Sequence, residues 1–505
     1  MSQQLLLGYD IGSSSIKASI LNAENGELVV SATSPEKEMK IDSPKSGWAE
    51  QDPEVWWNHV VTATKKMISK LYLKDSEILG IGISYQMHGL VMVDKNNEVL
   101  YPSIIWCDSR AVDIGNKAFS ELGEEYCNKK YLNSPGNFTA SKLKWVKDNL
   151  PEVYSKIYKF MLPGDFVALK LTGEIRITVS GLSEGIFWDF EGRKLADKLI
   201  NYYGFDKNLF PEIVPTFGEQ GSLSSSAANE LGLKPGIPVT YRAGDQPNNA
   251  LSLNVINPGE IASTAGTSGV IYGVADKNIF DFNNRVNTFA HINYTNEHPN
   301  VGVLLCINGT GIQYSWLKQS VFDNAYSYDE MNKIGAKISI GSDGLLCHPF
   351  GNGAERVLQN KNVHGQFSEI NFNIHSKGHL IRAAQEGIAF SFRYGLDVMK
   401  EIGLKIDVVR AGLSNLFQSE IFREAFINTC NVSLEIYNTD GSQGAARGAG
   451  IGSGHYSSGK DIMSFQSKEV FKGLKLIDKL NPEKEKVERY NLVYEEWKEK
   501  LEKSF

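Results

Sequence analysis

Two short stretches constrain this chain more than any others: "YDIGSSSIKA" from Tyr9 and "STAGTSGVIY" from Ser263. Each reads as an apolar strand, a turn of glycine with serine or threonine, and a second apolar strand. Residues 10 and 264 stand 254 positions apart, half of a 505-residue chain. That spacing is too long for a solenoid repeat. It suits a duplicated domain with a cleft between the copies, and the length agrees, since one hydrophobic core rarely serves so many residues.

The pattern around the two stretches is α/β. The opening predicts a three-stranded meander, with an Asn25-Gly26 pair before its third run. Asp52 then caps an amphipathic helix, "PEVWWNHVVTATKKMISKLY", with Pro53 at its first position. "ILGIGISYQ", "GLVMVD" and "SIIWCD" read as strands, and "TASKLKWVKDN" and "PGDFVALKLTG" as short helices. The second half restarts with strands at "EIASTAGTSGVIYGVA", "NTFAHINY" and "VGVLLCING". A long helix over 379–403 follows, then strand "VVRAGLS", helix "SEIFREAFINTC", strand "VSLEIYN" and the small-residue helix "SQGAARGAGIGSG". Strands with helices between them predict mixed sheets flanked by helices.

Composition narrows the function. Net charge is −7 with 22% charged residues, so the basic footprint of a nucleic-acid binder is missing. No apolar run approaches the roughly 18 residues of a membrane span. The start carries no basic leader, which predicts a cytoplasmic protein. The five cysteines are scattered with no CxxC pair, which argues against a disulfide framework or a structural zinc. A Walker A loop, a GxGxxG turn after a strand and the HRD and DFG segments of protein kinases are all absent from the sequence.

Hydroxyls and backbone N–H groups of a tight Gly-Ser/Thr turn can form an anion-binding concavity. Ser13, Ser14 and Lys17 are the candidates in the first turn, and Gly266, Thr267 and Ser268 in the second. The plain alternative for each is an ordinary β-turn. Asp10 ends a strand beside the first turn. It can hold a magnesium ion through water against phosphates, or stabilise the hairpin as an Asx turn. Asp245 sits in a nearly uncharged passage: from Pro235 to Gly259 only Arg242 and Asp245 carry charge. As a bare motif it predicts a helix N-cap, with Pro247 in the first turn. Arg242 could hold that carboxylate ionised or contact phosphate.

"GYDIGSSSIKA", "STAGTSGV", "AGLSNLFQSEIFREAF" and "DGSQGAARGAG" are similar, in order and spacing, to the phosphate, adenosine and connecting segments of the actin/hexokinase ATPase superfamily. Within it, "GWAEQDPEVWW", "GISYQMHG", "IIWCDSRA", "TASKLKWVKDN" and "GDQPNNA" resemble the FGGY family of carbohydrate kinases, over about residues 5 to 455. Among its members, "QMHG" and "GDQ" resemble the xylulokinases most. The resemblance implies two actin-like (ribonuclease H-like) ATPase domains, each a mixed β-sheet flanked by helices, with an interdomain cleft. A sugar-binding domain would span 1–252, a nucleotide-binding domain 253–480 and a helical tail 481–505. It implies ATP and Mg2+ as cofactors, Asp10 as the metal contact, and D-xylulose converted to its 5-phosphate. Gluconate or another ketose or polyol is the alternative substrate. Dimers are common in the resembled family, so a homodimer is the assembly it implies.

By the same resemblance Asp245 matches the catalytic base, and the cap and base readings are compatible. Gln86, Met87, His88, Trp106, Asp108, Arg110 and Gln246 would contact the sugar. On the residues alone, His88 is equally a buried histidine satisfied by backbone, Met87 core packing, and Asp108 with Arg110 a surface pair. On the nucleotide side Gly309 and Gln313 would line the cleft with Gly266, and Gly412, Ser414 and Asn415 would meet adenine; ordinary turn geometry is the alternative for these glycines. A non-catalytic sugar sensor would need no base at Asp245. An actin-like assembly or chaperone ATPase would need neither "YQMHG" nor "WCDSR".

Overall fold

The computed structural model describes residues 3–71, 76–456 and 469–504. Its first compact unit comprises Met1–Ile256, Phe289–Val301 and Thr439–Leu474; the second comprises Asn257–Thr288, Gly302–Asn438 and Lys475–Phe505. The division therefore departs from the one read in the sequence. Residues 439–474 group with the first unit, and the tail 481–505 groups with the second rather than standing apart.

The first unit holds a five-stranded sheet of β1 (Gln3–Ile11), β2 (Ile16–Asn22), β3 (Leu28–Ser34), β4 (Ser76–Tyr85) and β5 (Val239–Gly244), in the order β5-β4-β1-β2-β3. The meander β1-β2-β3 is antiparallel, while β1, β4 and β5 are parallel. Alternation along β1 sorts its side chains to two cores. Leu5, Leu7 and Tyr9 pack with Trp56, Ile83 and Phe166; Leu6 packs with Tyr241, Ala445 and Ala449. The first core is closed by helices Pro53–Ile68 and Pro163–Thr172. Asp52 caps the former through Glu54 N–H; Tyr72, at the end of the helix read from the sequence, lies outside the described residues.

The second core explains why 439–474 belongs here. Helix Gly441–Gly452 lies against paired Gly8 and Gly82. A Cβ on Gly8 would stand 2.1 Å from Ser442 O, and one on Gly82 1.9 Å from Ala445 O. Small residues on both surfaces let the backbones approach this closely.

A second sheet has seven strands: β6 (Glu260–Ala265), β7 (Gly269–Ala275), β8 (Asn287–Ala290), β9 (Val301–Ile307), β10 (Val408–Gly412), β11 (Ser433–Tyr437) and β12 (Leu476–Leu480), in the order β8-β9-β7-β6-β10-β11-β12. β6 is antiparallel to β7 and parallel to β10, as β1 is to β2 and β4. The order third-second-first-fourth-fifth thus occurs in both sheets, with β8 and β12 added at the edges of the second.

The long helix runs Lys377–Glu401. The tail helix Lys484–Glu502 buries one stripe, Tyr490, Tyr494, Trp497 and Leu501, and Trp497 donates its indole N–H to Cys347 O at 2.7 Å. "SIIWCD" is strand only at Ser103–Ile104; just beyond it Ile105 N–H donates to Ala49 O, and Ile105 O accepts from Asp108 N–H and Lys142 Nζ. No helix among the described residues is long and apolar enough to cross a membrane.

Candidate active site

The three parallel strands of the first sheet stop in register. Asp10 pairs with Ser84 and Ser84 with Ala243; Ile11 pairs with Tyr85 and Tyr85 with Gly244. The next residues are therefore neighbours: the Gly12–Ser15 turn, Gln86-Met87-His88, and Asp245. The carboxyl ends of parallel strands are where α/β sheets receive ligands.

Asp245 is not the N-cap. Gly244 caps helix Asp245–Ser252, and Asp245 is its first helical residue. Gly244 has no room for a side chain: a Cβ there would stand 2.6 Å from Met87 Cγ and 3.4 Å from Glu184 Oε1. Burial first, and then the charge of Asp10, push the Asp245 carboxyl up to about 7, against hydrogen bonds from Gln246.

Arg242 does not serve Asp245. Its Nε lies 3.2 Å from Asp165 Oδ1, and both side chains are sealed from solvent, which also removes Arg242 as a phosphate contact. Burial raises Asp165 to about 6 despite that partner.

Asp10 accepts from Ser84 Oγ at 2.8 Å. Burial raises its pKa, Lys17 and Ser84 pull it down, and Asp440 pushes it up. Asp440 caps helix Gly441–Gly452 through Gln443 N–H, and a Cβ on Gly441 would stand 2.5 Å from Asp10 Oδ2. Asn248 donates to Gly441 O at 2.8 Å. The N-terminus of that helix thus borders Asp10, where its partial positive charge favours an anion.

Gln86 and Met87 are buried. His88 has φ 62°, a left-handed conformation unusual for a residue with a side chain. Its backbone N–H donates to Glu184 Oε2 at 3.0 Å, and its Nδ1 donates to Glu184 O at 3.0 Å, which fixes the tautomer. Phe138 and Phe289 flank the ring, with centroids at 4.8 and 5.2 Å. Trp106 is 50% exposed and donates its indole N–H to Ser13 Oγ at 3.3 Å. Gln246, next to Asp245, is half-buried.

Asp108 and Arg110 are a pair, but a buried one rather than a surface one. Arg110 donates to both Asp108 oxygens, reaches Glu50 Oε1 at 2.7 Å, and stacks on Trp48 and Trp145. Asp108 also accepts from Ala49 N–H at 2.6 Å. Both Asp108 oxygens and the Arg110 Nε and Nη2 are thus engaged within the protein, while Arg110 Nη1 is buried without a hydrogen-bond partner among the described residues.

In the second unit the Gly266-Thr267 turn borders a cavity of about 580 Å³, with Gly311, Tyr314, Tyr328 and Asn415. Gly266 O accepts from Gly311 N–H at 2.9 Å and Thr267 O from Ile312 N–H at 3.0 Å. Tyr314 stacks on Tyr328 at 5.6 Å. Asn415 has φ 51°, and its amide lies 3.4 Å from where a Gly266 Cβ would be. Of the sequence candidates, Gly266, Thr267 and Asn415 line this cavity; Ser268, Gly412 and Ser414 do not. Gln313 does not share it either: it turns to another cavity, of about 390 Å³, with Cys347 and His348. Gly309 packs on backbone, its would-be Cβ 1.6 Å from Pro349 O.

Residues 5–252 match the N-terminal domain of the FGGY family of carbohydrate kinases. That stretch is an FGGY carbohydrate kinase domain. The chain is 29% identical over 506 residues to the xylulose kinase of Lactococcus lactis, covering 98% of this chain and 96% of that one. It is also 29% identical over 459 residues to the gluconokinase of Bacillus subtilis, covering 84% and 85%. In fold it matches the crystal structure of xylulose kinase from Rhodospirillum rubrum, with a TM-score of 0.87 at 23% identity, covering 99% of this chain and 98% of that one. This FGGY kinase thus has the two-domain actin-like ATPase fold.

Sequence reasoning missed several of its residues. Glu184 is wholly buried and accepts from Tyr85 Oη at 2.7 Å. Burial pushes its carboxyl well above the usual range, with Asp245 adding to the effect. The signal was available: Glu184 is the only charge from Ile177 to Trp188, the same isolation that marks Asp245. Lys142, in "TASKLKW", is buried too and donates to His88 O and Ile105 O, both at 2.9 Å. Burial brings its ammonium down to about 7. Tyr314 and Tyr328 had no such signal.

Proposed function

We propose that this FGGY kinase transfers the γ-phosphoryl group of ATP to the 5-hydroxyl of D-xylulose, with Asp245 as general base. The observation that carries the reading is Asp245 itself: a half-buried acid at the sheet's carboxyl edge, raised to about 7 by burial and by Asp10, and following Gly244, which packs against Met87. A base works best when its pKa lies near the working pH, and such help is worth roughly 10²–10⁴-fold. The rest of phosphoryl transfer is positioning and charge neutralisation.

In this reading Met87 and His88 hold the sugar with Gln86, Gln246 and Trp106, while Asp245 takes the hydroxyl proton. Ser13, Ser14 and Lys17 in the first unit are candidate phosphate contacts, and Gly266, Thr267 and Asn415 in the second are candidate nucleotide contacts. Among the described residues no three His, Cys, Asp or Glu side chains form a metal cage. That fits Mg2+, which keeps several waters and takes one or two carboxylates plus phosphate oxygens. Asp10 is the carboxylate that would hold it, and the bound ion would supply charge neutralisation at the phosphates.

D-Xylulose is preferred to gluconate on charge. Asp10, Glu184 and Asp245 border this site, and the buried cations nearby are engaged: Arg242 with Asp165, Arg110 with Asp108 and Glu50, Lys142 with two carbonyls. A sugar carboxylate would add negative charge where acids already raise one another's pKa. Purified protein with Mg-ATP should release ADP only when the right sugar is added, in a panel of pentuloses, polyols and gluconate. ADP release indifferent to every sugar refutes the kinase reading; better turnover of gluconate refutes the choice of xylulose alone.

A further inference from the structure

His88 combines three features that local sequence does not enforce. Its backbone is left-handed, its ring tautomer is fixed, and each side of its peptide is held by a buried ionisable side chain from a different helix. From helix Val179–Glu184, Glu184 takes the His88 N–H on its carboxyl and the Nδ1 hydrogen on its carbonyl. From helix Thr139–Asn149, Lys142 takes the His88 carbonyl. Backbone held in a sparsely populated region persists only where the surroundings over-determine it, and such residues cluster at ligand sites.

We propose that Glu184 and Lys142 are a positioning pair that clamps His88 in its left-handed conformation so that its imidazole is presented to the sugar. The inference rests on the reading of His88 as a sugar contact. Each partner also reaches a second element. Glu184 accepts from Tyr85, on β4, and its Oε1 lies near Gly244. Lys142 also takes the carbonyl of Ile105, which directly precedes Trp106. The clamp therefore ties the His88 turn to the strand ends carrying Asp245 and to the segment carrying Trp106. Neither residue needs to touch substrate. Beyond those bonds to Tyr85 and Ile105, their remaining hydrogen bonds are completed when the His88 turn is seated, and leaving a buried donor or acceptor unmade is unfavourable.

The test is a set of double-mutant cycles against His88 in the full-length protein, with the KM for sugar and for ATP measured separately from kcat. E184A and K142M should each raise the sugar KM about tenfold, the effect of losing one or two buried hydrogen bonds, and leave the ATP KM unchanged. In an H88A background the same substitutions should change the sugar KM less than about twofold, because the group they position is gone. E184Q, an isostere of the protonated acid, should restore most of what E184A loses. Equal effects of E184A with and without His88, or parallel rises in both KM values, assign the pair to general stability and overturn the clamp. If the best sugar in the panel is not D-xylulose, the substrate choice fails and the cycle is run with that sugar. If E184A and K142M both lower soluble yield, the protein that is recovered is purified and carried through the same cycle against H88A. A wild-type sugar KM in either recovered variant overturns the proposal.

Discussion

The two sheets open with the same device and equip it differently. Asp10 and Thr264 occupy matching places, 254 residues apart, each two residues before a glycine turn. In both sheets the strand concerned is antiparallel to the next strand and parallel to a distant one. Around Asp10 the first unit gathers Asp245, Asp440, Glu184 and Asp165, acids whose environments raise their pKa or that of a neighbour. Around the second turn the lining is mainly hydroxyls, amides and stacked rings, Thr267, Asn415, Tyr314 and Tyr328, with one carboxylate, Asp329, that is already paired with Lys333 at 2.6 Å. One backbone plan thus supports two chemistries. Titratable groups suit proton transfer, and neutral donors suit holding an anionic or aromatic ligand without titrating.

The largest expected effect breaks that asymmetry at its centre. Asp245→Asn keeps shape and removes basicity, so kcat should fall roughly 10²–10⁴-fold while sugar and ATP binding, followed by calorimetry, stay near wild type. An active variant removes Asp245 as base. The pH profile sharpens the same point. The base works ionised, so kcat/KM should rise with pH through about 7. Asp10→Asn removes a charge that raises Asp245, and the acid limb of its residual activity should move to lower pH; a limb that stays in place uncouples the two acids.

A smaller effect is expected on the neutral side. A Cβ at Gly311 would stand 2.2 Å from Gly266 O, inside the hydrogen bond that seats the second turn. Gly311→Ala should raise the ATP KM about tenfold, the worth of one displaced hydrogen-bonded turn, and leave the sugar KM alone. A change in the sugar KM instead would mean that the second turn does not serve the nucleotide.

What was legible from sequence follows the same division. The duplicated turns, Asp10 and Asp245 stand out because a lone charge or a glycine-hydroxyl turn is conspicuous in an otherwise uncharged stretch. Glu184 was legible by that rule. Local pattern fails where a partner is distant. The glycine that caps the Asp245 helix packs against Met87, which lies far back in the chain, as does Asp165, the partner of Arg242. In the second unit the failure is rotational. Gln313 and Tyr314 are adjacent on a short helix yet line different cavities, and nothing in "NGTGIQYSWL" says which face turns which way.

The smallest effect is on stability, and its sign separates the units. The Asp245 carboxyl is raised from 3.8 to about 7, so the folded protein holds a proton there that the unfolded chain releases as pH rises. Its favourable contribution is complete below about 4 and is lost as pH rises through about 7. Asp245→Asn carries no such charge, so above pH 7 it should unfold later than wild type, by on the order of 1 kcal/mol or roughly 2–4 °C, with the gap closing toward pH 4. That is the stability an active site gives up for a desolvated acid. Gly311→Ala should lower the melting temperature by an amount that does not depend on pH, because its clash involves no titrating group. If thermal scans at pH 4.5 and 8 show the Asp245→Asn gap constant, the acid is not desolvated in the folded protein, and the contrast between the two turns loses its electrostatic basis.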